Sequence, residues 1–201
     1  MDMIHPIEAL IPGAQGKLLS VLTRAGSPLS LRTLADLANV SPAQVSRLLP
    51  SLIELGIVEK SEVPPSILLR LVPQNLVSKS LLELLEMKDT LIAALKERTK
   101  AIGPPPINLT LFGSIVRGQV TAGSDIDVLV IRPSAVDDEN SAWWISLGDW
   151  VDEARTLSGN RINLLEVAEE EVRTLMRSNR PPWNSISEEG IMLAGKPLNQ
   201  I

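Results

Sequence analysis

Asp125 and Asp127 stand one residue apart at the start of the apolar run IDVLVI, and a Gly113-Ser114 pair follows the apolar run INLTLF. Side chains alternate across a strand, so the two carboxylates share a face. Side by side they repel, and burying them without a partner is costly. A divalent cation resolves both difficulties. Hard oxygen ligands suit Mg²⁺, or Mn²⁺ in its place, and such an ion also takes phosphate oxygens. Gly113 lets the backbone turn tightly, and Ser114 caps an expected short helix over residues 114–120, whose first amides would receive an anion. Strand, Gly-Ser, helix and Asp-x-Asp together would set a triphosphate beside a metal, as in-line nucleotidyl transfer requires.

The composition removes most rival chemistries. The 201 residues contain no Cys and one His (His5), which excludes thiol catalysis and disulfides and argues against a histidine-based triad or zinc site. Hydrophobic residues reach 44% but aromatics only 2%, so the core must be aliphatic. No apolar run approaches the roughly 20 residues of a membrane helix, and no signal peptide is visible. A soluble cytoplasmic protein is expected. Residues 1–73 carry six bases and six acids, residues 74–100 five and four, and residues 101–201 eight and fourteen. The acidic C-terminal part cannot hold nucleic acid by bulk charge, and the neutral N-terminal part would need a local basic face.

The elements that must position these residues fall on either side of GPPPIN, whose three prolines cannot continue a helix. After it the pattern predicts a strand at 107–112, the short helix, a strand at 126–131, a helix at 139–158, a strand at 161–167, a helix at 168–178 and one more short helix in the tail. Trp143, Trp144 and Trp150 should pack on the sheet. The acids at 169–171 suit a helix start, and DDEN at 137–140 reads as a solvated loop. Before the prolines, residues 16–55 read as three short helices and residues 57–72 as a Pro-containing hairpin. Ser41 is the expected N-cap of the third helix with Pro42 at its first position, and Pro50 should kink its later turns. Residues 74–101 read as one long amphipathic helix, a linker or dimerisation element. The expected domains are therefore 1–73, a linker helix and Pro hinge at 74–106, and 107–201.

Three helices and a hairpin form the layout of a winged helix-turn-helix, whose second motif helix enters the major groove. Its exposed candidates are Ser41, Ala43, Gln44, Ser46 and Arg47. Gln44 could read adenine, and Arg47 guanine or a phosphate. Arg32, Lys60 and Arg70 could add phosphate contacts. The segment LADLANVSPAQVSRLLPSLIELGIVEK resembles the ArsR/MarR-like winged-helix regulators.

LFGSIVRGQVTAGSDIDVLVI resembles the nucleotidyltransferase superfamily of DNA polymerase β, most of all its minimal nucleotidyltransferase branch. Gly113, Ser114, Arg117, Gly118, Ser124, Asp125 and Asp127 carry the likeness. It implies an α/β (α+β) fold with a mixed sheet, a nucleotide (ATP as substrate or ligand) held at Gly113, Ser114, Arg117 and Ser124, and Mg²⁺ at Asp125 and Asp127. Arg117 could instead fix the short helix by pairing with an acid. Active members place a third carboxylate on a neighbouring strand. In NRINLLEV that position holds Asn163, which carries no charge and cannot act as a base, while strand alternation sends Glu166 to the opposite face. The expectation is a DNA-binding regulator with a domain that binds NTP and Mg²⁺ and transfers an AMP-type group to a protein or small molecule. The alternatives are a dimeric enzyme whose winged helix is only structural, and a weakened nucleotide sensor. By the resemblance, transcriptional regulation or a toxin–antitoxin module is the implied setting, with double-stranded DNA and a protein acceptor or toxin as partners.

Overall fold

The apolar stripe through residues 74–101 fails after Leu85, where Lys88 and Asp89 take the positions that would continue it. The computed structural model, which describes residues 2–64, 66–136, 141–178 and 180–201, breaks the expected long helix there. Two helices replace it, Leu76–Leu85 and Met87–Arg98, separated at Glu86. Each half buries its leucines in a different core. The chain divides into two units. The first is His5–Met87, and the second joins Lys88–Ile201 to the few residues up to Ile4.

The first unit runs α1 (Pro6–Leu10), α2 (Ala14–Arg24), β1 (Leu29–Ser30), α3 (Leu31–Leu37), α4 (Pro42–Glu54), the hairpin β2 (Val58–Val63) and β3 (Ser66–Leu71), and α5 (Leu76–Leu85). Its antiparallel sheet has the order β1-β3-β2. Leu18, Leu22, Leu34, Val45, Leu52, Leu69 and Leu81 form an aliphatic core, as the scarcity of aromatics requires. Each later helix starts on a capping side chain: Ser30 for α3, Ser41 for α4 and Asn75 for α5. At Pro50 the expectation and the structure differ, because α4 runs through it as one helix. Proline removes the donor for the Ser46 carbonyl, but both residues are exposed and water can take its place.

The second unit runs α6 (Met87–Arg98), β4 (Asn108–Phe112), β5 (Ile126–Arg132), α7 (Ser141–Ser158), β6 (Ile162–Ala168), α8 (Glu169–Arg177), α9 (Trp183–Glu189) and β7 (Ile191–Gly195). The sheet order is β6-β5-β4-β7, with β5 and β6 parallel and the other pairs antiparallel. Mixed pairing was expected. The edge strand β7 was not, although IMLAG is a short apolar run between two glycines of the kind that strands use. Both faces of the sheet are covered, so β5 is apolar throughout apart from its ends. Ile126, Val128 and Val130 face one core with Leu91, Leu95, Trp143 and Trp150. Leu129 and Ile131 face a second core with Phe112, Val167, Val172, Trp183 and Ile186. Trp144 departs from the expected packing and stays 39% exposed. The stretch 137–140 lies outside the described residues. Among the described residues no helix is long and apolar enough to cross a membrane.

Candidate functional site

Asp125 ends the loop before β5, and Asp127 is the second residue of that strand. Asp127 pairs with Phe112 on β4 and with Asn163 on β6. Cross-strand partners share a face, so Asp127 lies on the face of the second core but past the end of its apolar cover. Asp125 is exposed and Asp127 half-buried.

The carboxylate of Asp127 is held from two sides. Asn163 Nδ2 donates to its Oδ1 at 2.8 Å. An ionised carboxylate can only accept, which fixes the direction of that bond. On the other side Oδ2 occupies the space that a side chain on Gly113 would fill. A Cβ on Gly113 would sit 2.6 Å from that oxygen, and the residue adopts φ +74°. Glycine is therefore required twice over, for its conformation and for the close approach.

The expected helix over 114–120 is absent. Gly113–Ile115 forms a single 3₁₀ turn, closed by the Val116 amide donating to Gly113 O. Two left-handed glycines, Gly113 and Gly118, bracket β-branched residues that favour no helix, and Ile115 is drawn fully into the core. Such a turn still leaves its first amides without intrahelical acceptors.

The rest of the loop is tied along its length. Arg117 pairs with Glu189 at 2.5 Å and donates to Gln119, so it braces the turn against α9. Ser124 Oγ accepts from the Thr121 amide at 3.0 Å and shares a hydrogen bond with the Thr121 hydroxyl, so its side chain builds the turn before Asp125. Sequence reasoning missed Asn160. It is 2% exposed, and its Nδ2 donates to the carbonyls of Thr121 and Ser124 at 3.0 and 2.8 Å. The available signal was a Gly-Asn pair just before a strand. Met3 adds a backbone bond to Val120.

Among the described residues no third carboxylate completes a cluster with the pair. Glu166 faces away and accepts from Arg132 Nε at 2.7 Å. Beside Asp125 stands Arg161, at 4.0 Å and 85% exposed, a separation at which water and salt screen most of the attraction. Among the described residues no group of three His, Cys, Asp or Glu could cage a metal. Asp125 and Asp127 are the residues here that could hold a hard cation, which would draw its remaining ligands from water and phosphate oxygens.

In the first unit, Ser41 and Gln44 form a reciprocal cap. Ser41 Oγ accepts from the Gln44 amide at 3.2 Å, and Gln44 Oε1 accepts from the Ser41 amide at 3.0 Å. The Gln44 carbonyl oxygen is thereby engaged at the helix end, leaving its NH₂ group as the part free to meet a base. Arg47, Arg32, Ala43 and Ser46 are exposed. On the wing, Lys60 pairs with Glu62 at 2.8 Å and Arg70 with Glu59 at 2.7 Å. The Lys60 hydrogen bond and charge hold the Glu62 carboxyl below its usual range. The wing's positive charge is thus largely matched, and among the described residues Arg32 and Arg47 have no carboxylate within ion-pair distance.

Residues 90–179 match the family model of a nucleotidyltransferase domain, and residues 16–62 match that of an IclR helix-turn-helix domain. Each match covers a separate part of the chain and less than half of its length. The nucleotidyltransferase match takes in most of α6 and the strands β4, β5 and β6 but not β7, and the helix-turn-helix match is to the IclR type where the sequence suggested ArsR/MarR. No curated protein matches. Among solved structures, a mutant of the toxin–antitoxin MntA–HpeT is 16% identical over 54% of this chain and 76% of its own, with a TM-score of 0.37. A toxin–antitoxin with AMP-PNP is 20% identical over 55% and 76%, with a TM-score of 0.33. At such scores the likeness carries no weight for function.

Proposed function

We propose that this protein is a DNA-binding regulator whose nucleotidyltransferase domain binds a nucleoside triphosphate, ATP in the first instance, together with Mg²⁺. The observation that supports it best is that Asp127 Oδ2 fills the space a Gly113 side chain would need, so the turn and one carboxylate of the Asp125–Asp127 pair are neighbours. Gly113 and Ser114 would receive phosphate oxygens, and Asp125 and Asp127 would hold the ion. Bound there, Mg²⁺ would neutralise both acids and the phosphates and favour attack at phosphorus. Ser124 and Asn160 keep Asp125 at the loop's end, while Arg117 acts as a brace.

Transfer to a protein or small-molecule acceptor would proceed without a strong general base. Asp127 is engaged by Asn163, and Glu166 is committed to Arg132 on the other face. That bond from Asn163 favours a second reading, a domain that binds nucleotide and signals without turnover. Incubation with α-labelled ATP, Mg²⁺ and candidate acceptors separates the two: label on an acceptor supports transfer, and saturable binding without label supports the sensor. Absence of nucleotide binding by calorimetry, with Asp125 and Asp127 intact, would sink both. The helix-turn-helix supports the DNA reading, tested by a gel shift on DNA from the protein's own operon at low salt.

A further inference from the structure

The tie nearest the Gly113-Ser114 turn comes from α6, an element the sequence did not connect with the site. Lys88, in the first turn of α6, donates from Nζ to the carbonyl of Val116 at 2.5 Å. Val116 is the residue whose amide closes the turn on Gly113. Lys88, Leu91, Ile92 and Leu95 recur at helical spacing, so a single stripe of α6 carries the lysine and the apolar contacts together. Leu91, Leu95 and Ile115 are buried in one core, with Ile92 and Val116 packed against it. The helix therefore supports the turn by its side chains from behind and fixes one of its carbonyls directly.

The lysine differs from the other cations of this region. Arg117 is matched by Glu189, and Arg161 stands beside Asp125. Lys88 is half-buried, and among the described residues no carboxylate lies within ion-pair distance of it. Ordering a long side chain costs rotamer entropy, which the bond to a carbonyl must offset. In exchange an unmatched positive charge stays fixed behind the turn, within an otherwise acidic domain.

We infer that Lys88 is a positioning residue of the nucleotide site: its bond to Val116 sets the backbone of the Gly113-Ser114 turn, and its charge favours a polyphosphate there. The inference rests on the nucleotide-binding reading, and the test keeps the two apart. Lys88→Met removes donor and charge at similar length, and Lys88→Arg retains both. In the ligand-free protein, amide hydrogen exchange at residues 114–118 should be about tenfold faster in the Met variant and near wild type in the Arg variant, with β4 and β5 unchanged in both. Calorimetric titration with ATP and Mg²⁺ should show about tenfold weaker binding for the Met variant and substantial recovery for the Arg variant, at closely similar melting temperatures. Unaltered exchange in the Met variant overturns the inference, as does faster exchange with full nucleotide affinity. If the wild type takes up no nucleotide, the functional reading falls, and the exchange comparison alone decides whether Lys88 holds the turn.

Discussion

Replacing Asn163 with Asp restores the carboxylate that active nucleotidyltransferases were expected to carry, and the structure sets the size of the effect. An oxygen would face Asp127 Oδ1 at about the present 2.8 Å. Two unit charges at that distance repel by about 6 kcal/mol at an effective dielectric constant of 20 and by about 1.5 kcal/mol in bulk water. Asn163 is exposed and Asp127 half-buried, which favours the lower figure. Loss of a hydrogen bond to a charged acceptor adds about 1.5–3 kcal/mol, and rotation of the new side chain relieves part of the total. The expected net cost without metal is about 2 kcal/mol, a fall in melting temperature of roughly 4–8 °C. Mg²⁺ reverses the sign, because the repulsion that destabilises the empty site becomes attraction for the ion. Asn163→Asp should therefore melt below wild type in EDTA, recover with Mg²⁺, and bind Mg²⁺ about tenfold or more tightly by titration, with any labelled-ATP transfer rising in step. Equal melting in EDTA and equal Mg²⁺ affinity would show that residue 163 does not face the metal ligands.

Gly113→Ala should cost about 1–2 kcal/mol from its left-handed backbone alone, and the new methyl would push Asp127 aside, so nucleotide binding should fall further than thermal stability does. Ser41→Ala removes the reciprocal cap of α4 and should lower the stability of the first unit by about 1 kcal/mol in urea titrations. Glu166→Gln should lower stability by about 1 kcal/mol through the lost Arg132 pair while leaving nucleotide affinity unchanged, since that pair lies on the opposite face of the sheet. Arg47→Ala should weaken any gel shift and flatten its salt dependence, whereas Lys60→Ala should do so less, because Glu62 already matches Lys60.

The strands were legible because alternation fails in a telling way. IDVLVI is apolar on both faces except at Asp127, so a buried central strand with one functional end could be read directly. The capping serine at 41 was legible for the same local reason. What the sequence hid was set by partners distant in the chain. Arg117 left two roles open until Glu189, far along the chain, was seen to meet it. The helix expected after Ser114 gave way to a single turn because core contacts of Ile115 and two left-handed glycines outweighed a helical spacing. The long helix failed at Glu86 because periodicity shows that a stripe exists, not that its two halves seek different cores.

The polypeptide crosses between the two units twice, at Ile4–His5 and at Met87–Lys88. The first unit is thus joined in sequence to residues of the second at both of its ends. A cut at Ile4–His5 would leave it joined at Lys88, whereas a cut at Met87–Lys88 would leave only the residues up to Ile4 to tie it to the other unit. A fragment begun at Lys88 would also forfeit the Met3 amide that holds Val120, loosening the same loop that leads to Asp125.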